Sequence, residues 1–177
     1  MRKKDTHQPR LLEAHRFVAA VILVVAGATI LAALFSEYVL GMQPCLLCLY
    51  QRWPYYAAVP LAALIVAFGT STGFARTGLA LLGLIFAASA LLAAYHAGVE
   101  WGFVLGPTGC GGAAAPTAAS MEDFMRQLET VRVVSCNEPA FVFLGLSMAG
   151  WNAVVSVLLA VLAFASAAIP ARPVSLT

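Results

Sequence analysis

Long apolar stretches interrupted by a few charged residues are the dominant pattern along the chain. A helical crossing of a bilayer needs about 20 apolar residues, and a charge at the bilayer centre costs about 3 kcal/mol, so charges mark the ends of crossings. We therefore predict four transmembrane helices, at about residues 17–36, 46–69, 77–96 and 148–169. This leaves two loops on one side of the membrane, a short one at about 37–45 and a long one at about 97–147.

The composition agrees with a membrane protein. Hydrophobic residues make up 62% of the 177 residues and charged residues 10%, whereas soluble domains are about half apolar and about a quarter charged. The mean hydropathy of +0.89 excludes a disordered chain, and a net charge of +2 gives no support to nucleic-acid binding. The helices use most of the chain, so we predict an all-α membrane protein, a four-helix bundle in the lipid bilayer that forms a single domain over residues 1–177.

The basic residues predict the orientation, because Lys and Arg in short flanks stay on the cytoplasmic side. The termini and the turn near residues 70–76 hold seven of the ten basic residues: Arg2, Lys3, Lys4, Arg10, Arg16, Arg76 and Arg172. We therefore predict cytoplasmic termini and two loops on the outer side of the membrane. The alternative for the N-terminus is a cleaved signal peptide, but its apolar run of about 20 residues exceeds the usual length of about 7 to 15, and Glu37-Tyr38 follows it.

All four cysteines fall on the predicted outer face, Cys45 and Cys48 in or next to the short loop and Cys110 and Cys136 in the long one. In a bacterial inner-membrane protein this face is the oxidising periplasm, where an even number of cysteines indicates pairs. Proximity in sequence pairs Cys45 with Cys48 and Cys110 with Cys136. The first two form a C-x-x-C motif after Pro44 at the predicted start of the second helix, where the helix dipole and free N–H groups favour a thiolate.

Three interpretations of the cysteines compete. A zinc site is disfavoured, because zinc ribbons use two close pairs and 25 residues separate the second pair here, so we expect no metal. Structural disulfides suit Cys110 and Cys136, since a bond between them would limit the entropy of a Gly/Ala-rich loop. Closing the short C-x-x-C loop gains little, so redox exchange is the better interpretation of that motif. Two pairs of different kinds on one face suggest an electron relay.

Polar residues accompany the C-x-x-C motif at the outer ends of the predicted helices. Gln51 and Arg52 lie three and four residues after its second cysteine, so the arginine lies one helical turn from that sulfur on the same face. His96, at the outer end of the third helix, could polarise a carbonyl or move a proton. The alternatives are an interface anchor for Arg52 and a hydrogen-bonded boundary residue for His96. Asn152 and Ser156, four residues apart in the fourth helix, are predicted to bond neighbouring helices.

These residues occur together in a known family: the chain resembles the DsbB family, the disulfide bond formation proteins of bacterial inner membranes. The resemblance covers most of the chain and rests on Pro44-Cys45-x-x-Cys48-x-Tyr50-Gln51-Arg52, on Tyr95-His96, on Cys110 and Cys136, and on Phe143-Leu144-Gly145-Leu146-Ser147-Met148 before the fourth helix. The four-helix layout with both cysteine pairs outside also matches. The segment from Gly98 to Phe103, followed by Gly106-Pro107, is similar to a variant typical of alphaproteobacterial members.

The resemblance implies an enzyme, a quinone-dependent thiol oxidase that sustains protein disulfide formation. Its partner would be a periplasmic, thioredoxin-like DsbA-type protein, and its electron acceptor ubiquinone or menaquinone in the membrane. By this resemblance, Cys110 takes the attack of the partner's thiolate, and the released Cys136 attacks Cys45. Cys48 then faces the quinone.

We expect three further residues to bind the quinone. By the same resemblance Arg52 would lie beside a ring oxygen, while Gln51 and His96 are assigned to the site from their positions next to the C-x-x-C motif and at the outer end of the third helix. Gln51 replaces a glutamate of many relatives, which argues against a proton-acceptor role at this position but leaves the electron path intact. Two other functions remain open: a non-catalytic four-helix membrane protein with structural disulfides, and a thiol/quinone enzyme of the vitamin K epoxide reductase type. In that type the C-x-x-C motif lies near the last helix, whereas here it precedes the second.

Overall fold

Four long helices dominate the structure, a computed structural model that describes residues 7–107, 120–122, 125, 136–139 and 141–170. They are α1 (His7–Tyr38), α2 (Leu46–Phe68), α3 (Thr72–Glu100) and α4 (Met148–Ala168). An antiparallel hairpin precedes α4 and consists of β1 (Val142–Phe143) and β2 (Leu146–Ser147). The mostly helical fold agrees with the predicted class, and each predicted crossing lies inside one helix or matches its ends to within one residue.

Three of these helices have the length and apolar character to cross a membrane: Pro9–Tyr38, Thr72–Glu100 and Met148–Ala168. α2 is not among them, although it has 23 residues. Its first half carries Gln51 and Arg52, and two prolines, Pro54 and Pro60, lie inside it. The four predicted crossings are therefore supported for three helices, and the crossing by α2 stays a prediction.

The helices alternate in direction, as contacts at the two ends of the bundle establish. At one end, Arg16 of α1 donates to the Val66 carbonyl of α2 at 2.7 Å, and Arg76 of α3 donates to the Ala167 carbonyl of α4 at 3.0 Å. Basic side chains satisfy in this way the carbonyls that a helix C-terminus leaves without partners. At the other end, the start of α2 contacts the ends of α1 and α3 and the start of α4. The C-x-x-C motif lies at this second end.

Small residues let the helices approach closely. α3 packs most extensively against α4, where Gly83 faces the ring of Phe164. A Cβ atom at Gly83 would lie 2.7 Å from that ring, and one at Gly78 would lie 2.7 Å from Cδ1 of Ile65 in α2. Buried alanines of all four helices complete the core: Ala19, Ala26, Ala58, Ala62, Ala75, Ala93, Ala160 and Ala163. Close packing of this kind is the main source of helix association in lipid, where the hydrophobic effect between helices is weak.

Serine side chains fix the starts of α3 and α4. Ser71 Oγ and Ser147 Oγ each accept a backbone N–H of the first turn, at 3.3 and 3.1 Å. The hairpin that precedes Ser147 turns at Leu144 and Gly145, whose φ angles are 53° and 80°. Positive φ at both central residues is the requirement of a tight two-residue hairpin. This hairpin brings the chain to the start of α4, beside the outer end of α2.

Candidate functional site

The C-x-x-C motif forms the start of α2. Cys45 is the residue that caps the helix, and its sulfur accepts the backbone N–H of Cys48 at 3.3 Å. Both residues are free thiols, and their sulfur atoms lie 2.9 Å apart. Since an S–S bond is about 2.05 Å long, this is the reduced pair, with the two sulfurs in position to close a disulfide.

Cys45 is the sulfur that ionises. Its pKa falls to about 4, chiefly because the Cys48 thiol donates a hydrogen bond to it. Burial of the sulfur opposes this change, while hydrogen bonds from His96 and from the Cys48 backbone N–H support it. The positive end of the α2 dipole favours an anion at the same place. The reduced pair therefore consists of a Cys45 thiolate and a Cys48 thiol that keeps its proton.

His96 of α3 lies against the cysteine pair and is only 2% exposed. Its Nε2 atom lies 3.6 Å from Cys45 Sγ, and its Nδ1 atom lies 2.6 Å from Nε2 of Gln51. Glu100, one turn further along α3, places Oε1 at 3.8 Å from His96 Nε2. The imidazole thus connects the cysteine pair with an amide and a carboxyl group.

Hydrogen bonds continue from Gln51 into the centre of the bundle. Gln51 Oε1 accepts from Asn152 Nδ2 at 2.5 Å, and Asn152 Oδ1 accepts from the Tyr55 hydroxyl at 2.5 Å. Ser156 Oγ lies 3.2 Å from that hydroxyl and donates to Ser89 Oγ at 3.0 Å. Asn152 and Ser156 therefore bond α4 to α2 and α3, which is the role that their spacing predicts.

Arg52 lies on the wall of the cavity that also contains Cys48. Its guanidinium pairs with the carboxylate of Glu37, near the end of α1. This charge-assisted pair joins the end of α1 to the start of α2 and gives the cation a partner inside the protein. The spacing in sequence places Arg52 near the second cysteine, but it does not reveal the contact with another helix.

Cys136 lies against the C-x-x-C motif. It is buried in one cluster with Cys45 and Val99, and it is disulfide-bonded. Neither Cys45 nor Cys48 is its partner, because both are free thiols. Cys110, its predicted partner, lies outside the described residues. Three of the four cysteines therefore meet at this end of the bundle.

A cavity of about 470 Å³ lies beside the cysteine pair. Its walls come from α1, α2, α3, α4 and the segments before α2 and α4, and most of their lining is apolar. The polar groups that face it include those already described: Cys45, Cys48, Gln51, Arg52, His96, Glu100 and Asn152. Apolar walls with a few convergent polar groups, at this volume, are typical of a small-molecule site.

Cys45, Cys48 and His96 also form a potential metal site. Their ligand atoms all lie within 4.8 Å of one another. Two thiolates and an imidazole are a donor set that suits Zn²⁺. The expectation that the chain binds no metal therefore stays a prediction.

Comparison with known proteins identifies the family. A family model described as "Disulfide bond formation protein DsbB" matches residues 15–166. The chain belongs to the DsbB family. The resemblance stated from the sequence motifs is confirmed. Membership of this family supports the conclusion that the chain is a membrane protein of disulfide bond formation. It also suggests that the chain is a disulfide oxidoreductase.

Curated relatives match over most of their length and most of this chain. A disulfide bond formation protein B of Marinobacter nauticus is 32% identical over 152 residues, which is 83% of this chain and 88% of that protein. One of a Polaromonas species is 29% identical and covers 77% of this chain and 81% of its own length. An uncharacterized protein of Rickettsia prowazekii is 26% identical, and the match covers 82% of this chain and 83% of that protein. No solved structure matches the chain.

The site of this DsbB-family chain contains residues that the sequence reasoning singled out and others that it missed. Gln51, Arg52 and His96 line one cavity with the two free thiols. Glu37 and Glu100 were not singled out, although both reach the site. The sequence spacing could have indicated Glu100, because it follows His96 by four residues and so lies on the same helix face. It could not have indicated Glu37, since the contact of Glu37 with Arg52 joins two different helices.

Proposed function

We propose that the chain is a quinone-dependent protein-disulfide oxidoreductase of the bacterial inner membrane. It reoxidises a periplasmic DsbA-type dithiol and delivers two electrons to ubiquinone or menaquinone. The observation that supports this most strongly is the reduced pair of Cys45 and Cys48, with its thiolate, on the wall of a largely apolar cavity. A purely structural cysteine pair needs neither a stabilised thiolate nor a cavity beside it.

Electrons enter through the pair Cys110 and Cys136. The partner's thiolate attacks Cys110, and the bond to Cys136 breaks so that Cys136 leaves as a thiolate. Cys136 then attacks Cys45 in the oxidised motif, and Cys48 leaves. The partner's second thiolate releases Cys110, which in turn attacks Cys136 and frees Cys45. The burial of Cys136 in one cluster with Cys45 supports this transfer.

The cavity residues fit a quinone. Its apolar walls suit a lipid-soluble ring, and the Arg52 guanidinium, the Gln51 amide and the His96 imidazole are the polar groups that would hold the ring oxygens. A bound quinone supplies a two-electron acceptor. Cys45 and Cys48 give up the electrons as they close to a disulfide, which their sulfur separation of 2.9 Å favours.

The proposal includes four crossings, cytoplasmic termini and a redox site that faces the periplasm. α2 is taken as the fourth crossing because it is 23 residues long, packs against α1 and α3, and runs opposite to both. Arg16 and Arg76 lie at the end of the bundle away from the cysteines. Retention of basic residues on the cytoplasmic side then supports a periplasmic position for the cysteines.

A quinone-reduction assay with the purified chain in detergent tests this function. Reduced DsbA-type protein is supplied with a water-soluble ubiquinone or menaquinone analogue, and loss of quinone absorbance is followed. We expect loss of one quinone per partner dithiol oxidised by the wild type, and only background loss after Cys48→Ser. Ser36→Ala is the matched control, because Ser36 lines the same cavity but its hydroxyl bonds, within the part of the chain that the structure describes, only the carbonyl of Ala32, one turn earlier in α1.

The alternatives give different outcomes in the same assay. Unchanged turnover after Cys48→Ser, or no turnover by folded wild type, contradicts the proposal and favours a non-catalytic membrane protein with structural disulfides. Quinone reduction that proceeds with dithiothreitol but never with the DsbA-type partner favours a vitamin K epoxide reductase type of activity. Thermal unfolding in detergent confirms in each case that the variant is folded.

A further inference from the structure

A buried carboxyl group with an unused oxygen lies beside the cysteine pair. The side chain of Glu100 is 6% exposed and lines the same cavity as Cys45, Cys48 and His96. Its Oε1 atom lies 3.8 Å from His96 Nε2, and its Oε2 atom is buried without a hydrogen-bond partner among the described residues. Buried polar atoms nearly always have a partner, and a bound ion is one explanation for a buried oxygen that has none.

Three further donor atoms converge next to this carboxyl group. The sulfurs of Cys45 and Cys48 lie 2.9 Å apart, and His96 Nε2 lies 3.6 Å from the Cys45 sulfur. The three ligand atoms all lie within 4.8 Å of one another. Cysteine sulfur, imidazole nitrogen and carboxylate oxygen are the ligands with which proteins bind Zn²⁺, and softer sulfur ligands disfavour Mg²⁺ and Ca²⁺. The donor set therefore indicates zinc.

The distances between the donor atoms come close to those of a tetrahedral zinc site. With Zn–S bonds of about 2.3 Å and Zn–N bonds of about 2.0 Å, such a site separates sulfur from nitrogen by about 3.5 Å and two sulfurs by about 3.8 Å. The 3.6 Å between Cys45 Sγ and His96 Nε2 needs no adjustment. The two sulfurs must move apart, which rotation of the Cys48 side chain toward the cavity allows. Rotation of the Glu100 side chain then completes four ligands.

The hydrogen bonds behind His96 can support a metal on its Nε2 atom. A neutral imidazole that binds a metal through Nε2 carries its hydrogen on Nδ1 and needs an acceptor there. The Gln51 amide lies against Nδ1, with its nitrogen at 2.6 Å, and half a turn of this amide presents its oxygen instead. Asn152 and the Tyr55 hydroxyl continue the chain. Because amides and hydroxyls both donate and accept, the whole chain can reverse with Gln51.

We propose that Cys45, Cys48, His96 and Glu100 form an inhibitory Zn²⁺ site that binds the metal only while the cysteine pair is reduced. Zinc holds both sulfurs and keeps them from closing to a disulfide. The inhibition rests on the proposed function, whereas the metal binding does not. The proposal departs from the sequence-based expectation of no metal, because that expectation considered only a site made of the two cysteine pairs.

The redox state of the pair decides whether zinc can bind. Binding forms one Zn–S bond at each sulfur, any hydrogen still on a thiol leaves as a proton to the solvent, and the metal stays divalent. In the disulfide the two sulfurs are bonded to each other and carry no charge, so they are poor ligands. A sulfur that is bound to zinc, in turn, is not free to bond its neighbour. Metal binding and oxidation of the pair therefore exclude each other.

The neighbouring charged and sulfur groups do not offer a better set of ligands. Cys136 lies in one cluster with Cys45, but it is disulfide-bonded, so its sulfur carries no charge. Arg52 is a cation on the cavity wall, and the carboxylate of Glu37 pairs with it and offsets its charge. Glu138 lines the cavity from an exposed position. It is therefore a suitable control carboxylate for Glu100.

Metal binding to the full-length chain in detergent tests the site without quinone or partner. Cys110→Ser and Cys136→Ser are introduced together, so that only the Cys45–Cys48 pair supplies thiols, and the chain is reduced with a phosphine that is then removed. We expect one Co²⁺ per chain, with the visible bands of a tetrahedral site and a thiolate charge-transfer band, and its displacement by one Zn²⁺. After oxidation with diamide we expect no binding.

Ligand variants in the same background show which side chains hold the metal. Cys48→Ser and His96→Ala should reduce the zinc that remains after gel filtration to background. Glu100→Gln should weaken zinc binding at least about 10-fold, since loss of even a supporting group costs about 10- to 100-fold in metal affinity. The control Glu138→Gln should bind zinc as tightly as the parent. Equal affinity in Glu100→Gln contradicts the four-ligand site. Absence of binding by the reduced parent, or one zinc on the oxidised chain, overturns the proposal even if a variant fails to fold.

A single turnover of the reduced chain with a quinone analogue tests the inhibition. In the same background, zinc should stop both quinol formation and closure of the Cys45–Cys48 disulfide, and EDTA should restore them. Turnover that continues with zinc bound refutes the inhibition. The two proposals also fail separately. A chain that reduces quinone but binds no zinc refutes only the zinc site, and a chain that binds zinc as described but never reduces quinone refutes only the proposed function.

Discussion

The Cys45 sulfur combines two properties that are usually separate, since it caps a helix and has a pKa lowered to about 4, so that it is a thiolate at neutral pH. The hydrogen bond that the Cys45 sulfur accepts from the backbone N–H of Cys48, in the first turn of α2, also stabilises the negative charge of the thiolate. A stabilised thiolate favours the reduced form of the pair, which makes the disulfide a stronger oxidant. This property suits the proposed function, in which the pair accepts electrons through Cys136 from an oxidising partner.

The thiolate of Cys45 should depend on the hydrogen bond from Cys48. Because the pKa is lowered to about 4, the thiolate persists from neutral pH down to that value and is lost as the pH falls through it. Cys48→Ala removes the main donor, so the midpoint should move up toward an ordinary thiol. Cys48→Ser, which keeps a donor, should move it less. The rate of Cys45 alkylation against pH, resolved by mass spectrometry, measures both, and equal midpoints in wild type and Cys48→Ala contradict this explanation.

At the residue scale, the sequence predicts which residues lie in the polar site better than it predicts which of them form hydrogen bonds with each other. The C-x-x-C spacing and the position of His96 indicate a polar site at one membrane face, and the structure brings these residues within contact. The spacing of Gln51 predicts a place near the motif but not its bond to His96. Contacts such as these depend on the rotation of one helix against another, which local spacing does not determine.

At the element scale, glycines determine how closely the helices pack. Gly78 of α3 faces Ile65 of α2, which is fully buried, so its side chain has little room to move. Gly78→Ala places a Cβ 2.7 Å from Cδ1 and 2.8 Å from Cγ1 of Ile65. Overpacking of this kind costs about 1–3 kcal/mol, so the thermal unfolding temperature in detergent should fall.

Gly27→Ala is the matched control for this prediction. Gly27 also lies inside a helix, but nothing lies within 4 Å of a Cβ added there. Alanine is the better helix former, by about 1 kcal/mol, so stability should stay equal or rise slightly. If the two variants unfold at the same temperature, the contact between α2 and α3 is not as close as described.

The sequence predicts the helices well and the connections poorly. Long apolar stretches give a strong signal, and α2 and α4 end within one residue of the predicted bounds. α1 and α3 extend beyond the predicted crossings, because helical structure continues into residues too polar for the bilayer centre. The hairpin at Val142–Ser147 was not predicted, since strands of two residues show no periodicity. Its turn depends on the positive φ of Leu144, a conformation unusual for that residue.

At the scale of the whole molecule, the number of crossings can be tested by labelling from one side. In a background with all four cysteines replaced by serine, Ser71→Cys and Leu105→Cys are exposed to a membrane-impermeant maleimide on intact spheroplasts. Ser71 lies in the exposed turn between α2 and α3, and Leu105 follows α3 and is 93% exposed. With four crossings, only the cysteine at position 105 should react before the membrane is permeabilised. Labelling of position 71 from outside contradicts a crossing by α2.

The proposed function rests on the claim that the Cys45–Cys48 pair gives its two electrons to a quinone, and a single-turnover measurement tests this claim most directly. The chain is reduced, freed of reductant under anaerobic conditions and mixed with one equivalent of a ubiquinone or menaquinone analogue. Thiols at each cysteine are then counted by alkylation and mass spectrometry, and quinol is counted by absorbance. We expect one quinol for each Cys45–Cys48 disulfide formed. Quinone that stays oxidised while both thiols remain free contradicts the claim.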